Sequence, residues 1–143
     1  MRLIVNTDGA CSGNPGPMGI GVIAWRQDAE QSISDGSVIE LSEFHGHGTN
    51  NLAEYTAVVR ALEECLLLGA TSVQINCDSL IVVRQIQGEY KCNIPALNNA
   101  RKAVLALTVK FPGGVTFQHI YDELNQRADR LARAASKRGR KAR

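Results

Sequence analysis

Four carboxylates, Asp8, Glu54, Asp78 and Asp129, stand at the ends or on the apolar edges of the segments that carry them. Asp8 follows the apolar run RLIVNT (2–7) and precedes GACSGNPGP (9–17), a stretch with three glycines and two prolines that reads as a loop. Glu54 lies near the start of a helical pattern over 51–68. With residues set about 100° apart and Glu54 at zero, Ala61, Cys65, Val58 and Leu62 fall between about −20° and +80°. Glu54 is thus the one charge in the apolar arc. Asp78 joins the strand-like SVQINC (72–77) to a helical segment, a junction where α/β folds build sites. Asp129 borders the stripe Leu124, Ala128, Leu131 and Ala135.

Each has an ordinary explanation. Glu54 can favour a helix dipole while leaning out to water. Asp78 can cap a helix. Asp129 can pair with Arg133 one turn on. Together, four such carboxylates would repel one another if clustered, and hard divalent cations relieve that repulsion. Oxygen-only ligands suit Mg²⁺ or Mn²⁺ better than zinc. Two such ions ~4 Å apart are the usual arrangement for in-line attack on a phosphodiester.

The elements that must position these groups follow from periodicity. Strands are expected at 2–7, 18–27 and 32–44, the third with a turn or bulge near Asp35-Gly36. Two short links make these an antiparallel meander. A helix follows over 51–68, capped by Asn50 or Asn51 and stopped by Gly69. Then come a strand at 72–77, a helix at 79–87 ending at Gly88, a helix from Pro95 to about Val109, a strand at 114–120 and a helix at 124–137. The order βββαβααβα predicts an α/β domain: a mixed five-stranded sheet with helical cover.

With 143 residues, 44% of them hydrophobic, one domain with its own core is expected, and no apolar run reaches the ~20 residues that span a bilayer. The start MRLIVNTDG has no signal-peptide core, so a cytoplasmic protein is expected. Cys11, Cys65, Cys77 and Cys92 form no C-x-x-C pair, so neither a disulfide framework nor a zinc site is expected. The sixteen Lys and Arg include five in 137–143 (KRGRKAR); the eleven others meet fourteen acidic residues, leaving residues 1–136 at −3. Residues 1–136 are therefore read as the folded domain and 137–143 as a basic tail, either a solvated terminus or a contact for a polyanion.

Four stretches in order, TDGACSGNPGP (7–17), TNNLAEY (49–55), CDS (77–79) and HIYDELNQRADRLA (119–132), resemble the ribonuclease H family, type 1, over nearly the whole chain. The resemblance implies a ribonuclease H-like fold and an endoribonuclease that cuts the RNA strand of RNA/DNA hybrids, leaving 5′-phosphate and 3′-hydroxyl ends. Asp8, Glu54, Asp78 and Asp129 would hold two Mg²⁺ or Mn²⁺ ions, one activating a water and the other stabilising the leaving 3′-oxygen. Gly9, Asn14, Asn50 and Asn51 would contact the RNA strand and its 2′-hydroxyls, the glycine by letting backbone approach substrate. Thr49 would grip a DNA-strand phosphate. His119 stands ten residues before Asp129, the spacing of the family's mobile catalytic histidine, with a structural strand-end histidine as the alternative. The stretch GEYKCNIP (88–95) is short where many members carry a basic handle, Leu80 replaces a hydrogen-bonding glutamine, and no separate hybrid-binding domain is expected before Met1. The expected partner is the hybrid alone, with no membrane, no evident protein partner and a monomeric state. A silent hybrid-binding module on the same fold is the alternative function. An NTPase loop is excluded by the missing G-K-[ST], and a D-x-D phosphatase by Ala10.

Overall fold

The computed structural model describes residues 1–27 and 36–141. Its elements are β1 (Arg2–Cys11), β2 (Gly16–Arg26), β3 (Ser37–Gly48), α1 (Asn50–Leu67), β4 (Ser72–Cys77), α2 (Leu80–Ile86), α3 (Pro95–Thr108), β5 (Val115–His119) and α4 (Gln126–Lys141), with a 3₁₀ turn at Asp122–Leu124 before α4. The sheet order is β3-β2-β1-β4-β5. β1, β2 and β3 pair antiparallel, while β4 lies parallel to both β1 and β5. This is the mixed α/β sheet and the element order expected from periodicity.

Several boundaries differ, each for a physical reason. Asp8 does not end its strand: β1 runs on to Cys11 and pairs Asp8 with Gly21 and Cys11 with Met18. The loop shrinks to residues 12–15, because residues 8–11 find ladder partners in Gly21, Ile20, Gly19 and Met18 of β2. The cap of α1 is neither Asn50 nor Asn51 but Thr49, whose hydroxyl oxygen accepts from Leu52 N–H. Ser79, not Asp78, caps α2 by accepting from Val82 N–H. The part of the expected third strand at 32–35, with the Asp35 side of its turn, lies outside the described residues. A register shift does occur nearby, where Ile39 pairs with Ala24 but Ser37 pairs with Trp25. Leu124 belongs to the 3₁₀ turn, and α4 extends to Lys141, so residues 137–141 of the expected tail are helical.

Alternation along the central strands divides the sheet between two helical layers. Leu3, Val5, Ile20 and Val22 point to one side and join Tyr55, Val58 and Leu62 of α1 in the main core. Gly19 and Gly21 of β2 point to the other side, against α4. A Cβ on Gly21 would overlap the Ala128 carbonyl oxygen, and one on Gly19 the Ala132 carbonyl oxygen. Small residues on both surfaces therefore let helix backbone lie directly on strand backbone. Gly9 does the same on the α1 side, where a Cβ would overlap the backbone of Ala53 and Glu54. Arg60 ties α1 to β3 through a two-nitrogen pair with Glu43, at 2.9 and 3.1 Å. That guanidinium holds the Glu43 carboxyl down at about 2, with partial burial opposing it.

Gly21→Ala is expected to push α4 off the sheet, because the added methyl meets backbone that no rotamer change can move. Overpacking of this kind costs about 1–3 kcal/mol. Urea unfolding is expected to show a lower midpoint at unchanged slope. An unchanged midpoint would mean that α4 is not held by this close approach.

Candidate active site

Three of the four carboxylates converge. Asp8 is delivered from the middle of β1, Glu54 from the first turns of α1, and Asp78 from the residue after β4. Oxygens of the three lie within 4.8 Å of one another. Asp8 is 4% exposed and Glu54 7%, so the bland reading of Glu54 as a surface helix-dipole residue does not hold. Asp129, on the first turn of α4, faces the same cleft, with its Oδ1 accepting from Arg133 Nε at 3.0 Å. The ordinary pairing expected for Asp129 and its place at the cleft thus coexist.

Local hydrogen bonds aim these groups. The Gly9 N–H donates to Glu54 Oε1 at 2.8 Å and to Asp8 Oδ1 at 3.0 Å. Gly9 therefore serves helix packing and carboxylate placement together. The buried Cys77 thiol donates to Glu54 Oε2 at 3.3 Å, and Asn125 Nδ2 donates to Asp78 Oδ2 at 3.2 Å.

Burial, followed by the neighbouring Glu54, Asp78 and Asp129, pushes the Asp8 carboxyl up to about 11. Burial also raises Glu54, with Asp78 adding to it. Asp78 is raised by burial and by Asp122 and Asp129, against the opposing hydrogen bond from Asn125. Such a cluster resists ionising by itself, and its donors are oxygens alone. A hard divalent cation fits it, because the ion replaces the lost hydration and cancels the repulsion.

The cleft has a volume of about 760 Å³. Gly9, Asn50 and Asn51 line it. A second cavity of about 590 Å³ shares Asn50 and Asn51 and adds Asn14 and Thr49. Each of the five expected substrate contacts therefore lines one of two cavities that share Asn50 and Asn51. Asn14 Oδ1 accepts from the Asn50 N–H at 3.1 Å, tying the β1–β2 loop to the start of α1. His119 lines neither cavity. It ends β5 beside Cys77 and sets its ring edge-on to Tyr121, centroids 5.6 Å apart.

Sequence reasoning missed Asp122, Glu123, Arg133 and Lys137 as cleft residues. The first two sit in a 3₁₀ turn too short to show a period. The last two follow Asp129 at intervals of four, a signal that was present in the helical spacing.

The profile of the family described as "Reverse transcriptase-like" matches residues 6–135. The crystal structure of RNase H1 from Halobacterium salinarum is 33% identical and superposes with a TM-score of 0.89, covering 96% of this chain and 99% of that one. The chain belongs to the ribonuclease H family. LC11-RNase H1, solved in complex with an RNA/DNA hybrid, is 35% identical with a TM-score of 0.85 over 95% of this chain and 97% of that one. The bifunctional protein Rv2228c of Mycobacterium tuberculosis is 33% identical over 94% of this chain. The chain spans only 35% of that relative's length. Ribonuclease H membership accounts for the mixed five-stranded sheet that carries the carboxylates.

Asp8→Asn is expected to stabilise the metal-free protein, since it replaces a buried carboxyl, whose ionisation burial and the neighbouring carboxylates oppose, with a group that is neutral at every pH. A gain of about 1 kcal/mol corresponds to a rise of roughly 4 °C in melting temperature for a domain of this size. Mg²⁺ should raise the melting temperature of wild type more than that of the variant. A lower melting temperature for metal-free Asp8→Asn would show that the cluster is held by attraction and not by its frame.

Proposed function

We propose that this chain is an endoribonuclease that hydrolyses the RNA strand of RNA/DNA hybrids, leaving 5′-phosphate and 3′-hydroxyl ends. The observation that carries this reading is the convergence of Asp8, Glu54 and Asp78 oxygens within 4.8 Å in a cleft that Asp129 also lines. Asp8, Glu54, Asp78 and Asp129 would hold two Mg²⁺ or Mn²⁺ ions. When bound, the ions would activate the attacking water and stabilise the leaving 3′-oxygen. The chain's own groups would hold and orient the substrate. Gly9, Asn14, Asn50 and Asn51 would follow the RNA strand, where amide groups can both donate to and accept from a 2′-hydroxyl. Thr49 uses its oxygen as the α1 cap acceptor, which leaves the O–H to donate to a DNA-strand phosphate. The hybrid found with LC11-RNase H1 supports this choice of substrate.

The silent-binding alternative is weaker, because a module that only binds has no use for three buried carboxylates. The four cysteines are free thiols. Among the described residues no helix is long and apolar enough to cross a membrane. A monomeric, cytoplasmic enzyme is the proposed working form.

The test is cleavage of a labelled hybrid with and without Mg²⁺, beside single-stranded RNA and duplex RNA. Cleavage confined to the hybrid and to Mg²⁺ or Mn²⁺ is expected, and Asp78→Asn is expected to abolish it. Equal cutting of single-stranded RNA, or activity in chelator, would sink the proposal.

His119 is proposed as an assisting group for proton movement. Its replacement by Ala is expected to slow turnover by at most ~10²–10⁴-fold, the range of one general acid or base. If His119→Ala matches wild type across pH 6–9, the residue only ends β5.

A further inference from the structure

We infer that Asn125 is a positioning residue of the carboxylate centre, a role that rests on the metal-dependent reading above. Its side chain is fully buried, at 0% exposure. Nδ2 donates to the Thr7 carbonyl oxygen at 2.8 Å and to Asp78 Oδ2 at 3.2 Å. Thr7 immediately precedes Asp8 on β1. The Asn125 carbonyl oxygen accepts from the Asp129 N–H at 3.1 Å, which opens α4, and the Asn125 N–H donates to the Asp122 carbonyl at 2.9 Å. One residue therefore joins the strand that delivers Asp8, the carboxylate of Asp78 and the helix that delivers Asp129.

The chemistry requires an amide. Both side-chain partners are acceptors only, so the group facing them must donate twice, as an NH₂ does. An aspartate there would set a carboxylate against the Thr7 carbonyl and Asp78. An apolar residue would leave Asp78 free to rotate away from Asp8 and Glu54. The two acceptors also fix which way the amide points, and this leaves Asn125 Oδ1 buried with no hydrogen-bond partner among the described residues. A buried acceptor without a donor lowers stability.

Groups that orient metal ligands from behind typically change metal affinity or activity by about 10–100-fold when removed. Asn125→Ala and Asn125→Leu both delete the donors, and the leucine keeps the volume. The full chain and both variants are titrated with Mn²⁺ by calorimetry without substrate, and Mg²⁺ dependence is then measured for hybrid cleavage. The expected result is Mn²⁺ binding weaker by about 10–100-fold in each folded variant. A matching rise in the Mg²⁺ needed for half-maximal rate is expected, with KM for the hybrid unchanged. Wild-type Mn²⁺ affinity in either folded variant overturns the inference, even if its melting temperature has fallen. Failure of both variants to fold assigns Asn125 to the frame and overturns it too. Wild type that binds Mn²⁺ without cutting the hybrid refutes the hydrolase reading alone, because calorimetry still decides the role of Asn125. Wild type that binds no Mn²⁺ refutes both.

Discussion

Repulsion among the Asp8, Glu54 and Asp78 carboxylates is the constraint around which the fold is arranged. Oxygens within 4.8 Å of one another and removed from water would push their backbones apart if those backbones could move. The chain counters this by placing Asp8 in the central strand, paired with Gly21 of β2 and directly after the last β1–β4 pair, Thr7 with Cys77. Glu54 is set by a helix on which Ala53, Tyr55, Ala57 and Val58 around it are fully buried. Asp78 is freed from capping duty because Ser79 performs it. Each carboxylate is therefore held by an element whose stability comes from elsewhere.

Close backbone packing is what makes such placement rigid. α1 lies on one face of the sheet at Gly9, and α4 lies on the other at Gly19 and Gly21. A bulkier residue at either contact would move a carboxylate by the width of a methyl group, which is large against the tolerance of a metal site. The glycines that look like loop residues in the sequence are spacers between layers. Gly9 adds a second service, because the same N–H that packs on α1 donates to both Glu54 and Asp8.

Periodicity made the strands, the helices and their order legible, because alternating and helical patterns are written locally along β1 and α1. The buried Glu54 was legible for the same reason, as a charge in an apolar arc. What escaped depends on tertiary contact. The continuation of β1 past Asp8 needs β2 as a partner and cannot be seen in GACS alone. The true caps, Thr49 and Ser79, compete with adjacent Asn and Asp residues of equal or higher propensity, so the local sequence does not choose between them. Asn125 carries no local signal, because its two acceptors come from positions 7 and 78. His119 matched a spacing, yet spacing along the chain does not say which face of β5 meets the cleft.

The basic C-terminal end changes meaning once α4 is seen to include it. Asp129, Arg133 and Lys137 are four residues apart and line the same cleft, so one stripe of the helix passes from an anion to two cations. Arg138 donates to the Ser42 carbonyl oxygen at 2.7 Å and so fastens the helix to β3. Arg138, Arg140 and Lys141 in the last turn also favour the negative end of the helix dipole. The end is therefore a helix terminus whose charges serve the fold. On the proposed function this grading has a use. A domain at −3 over residues 1–136 repels a polyanion, and its most acidic point is where the scissile phosphate must arrive. Ions held at the carboxylates would neutralise that point, and Arg133 and Lys137, which line the same cleft, would offset the remaining negative charge there. A rigid helix sets the distance between those two tasks, which a flexible tail of the same charge would leave undefined.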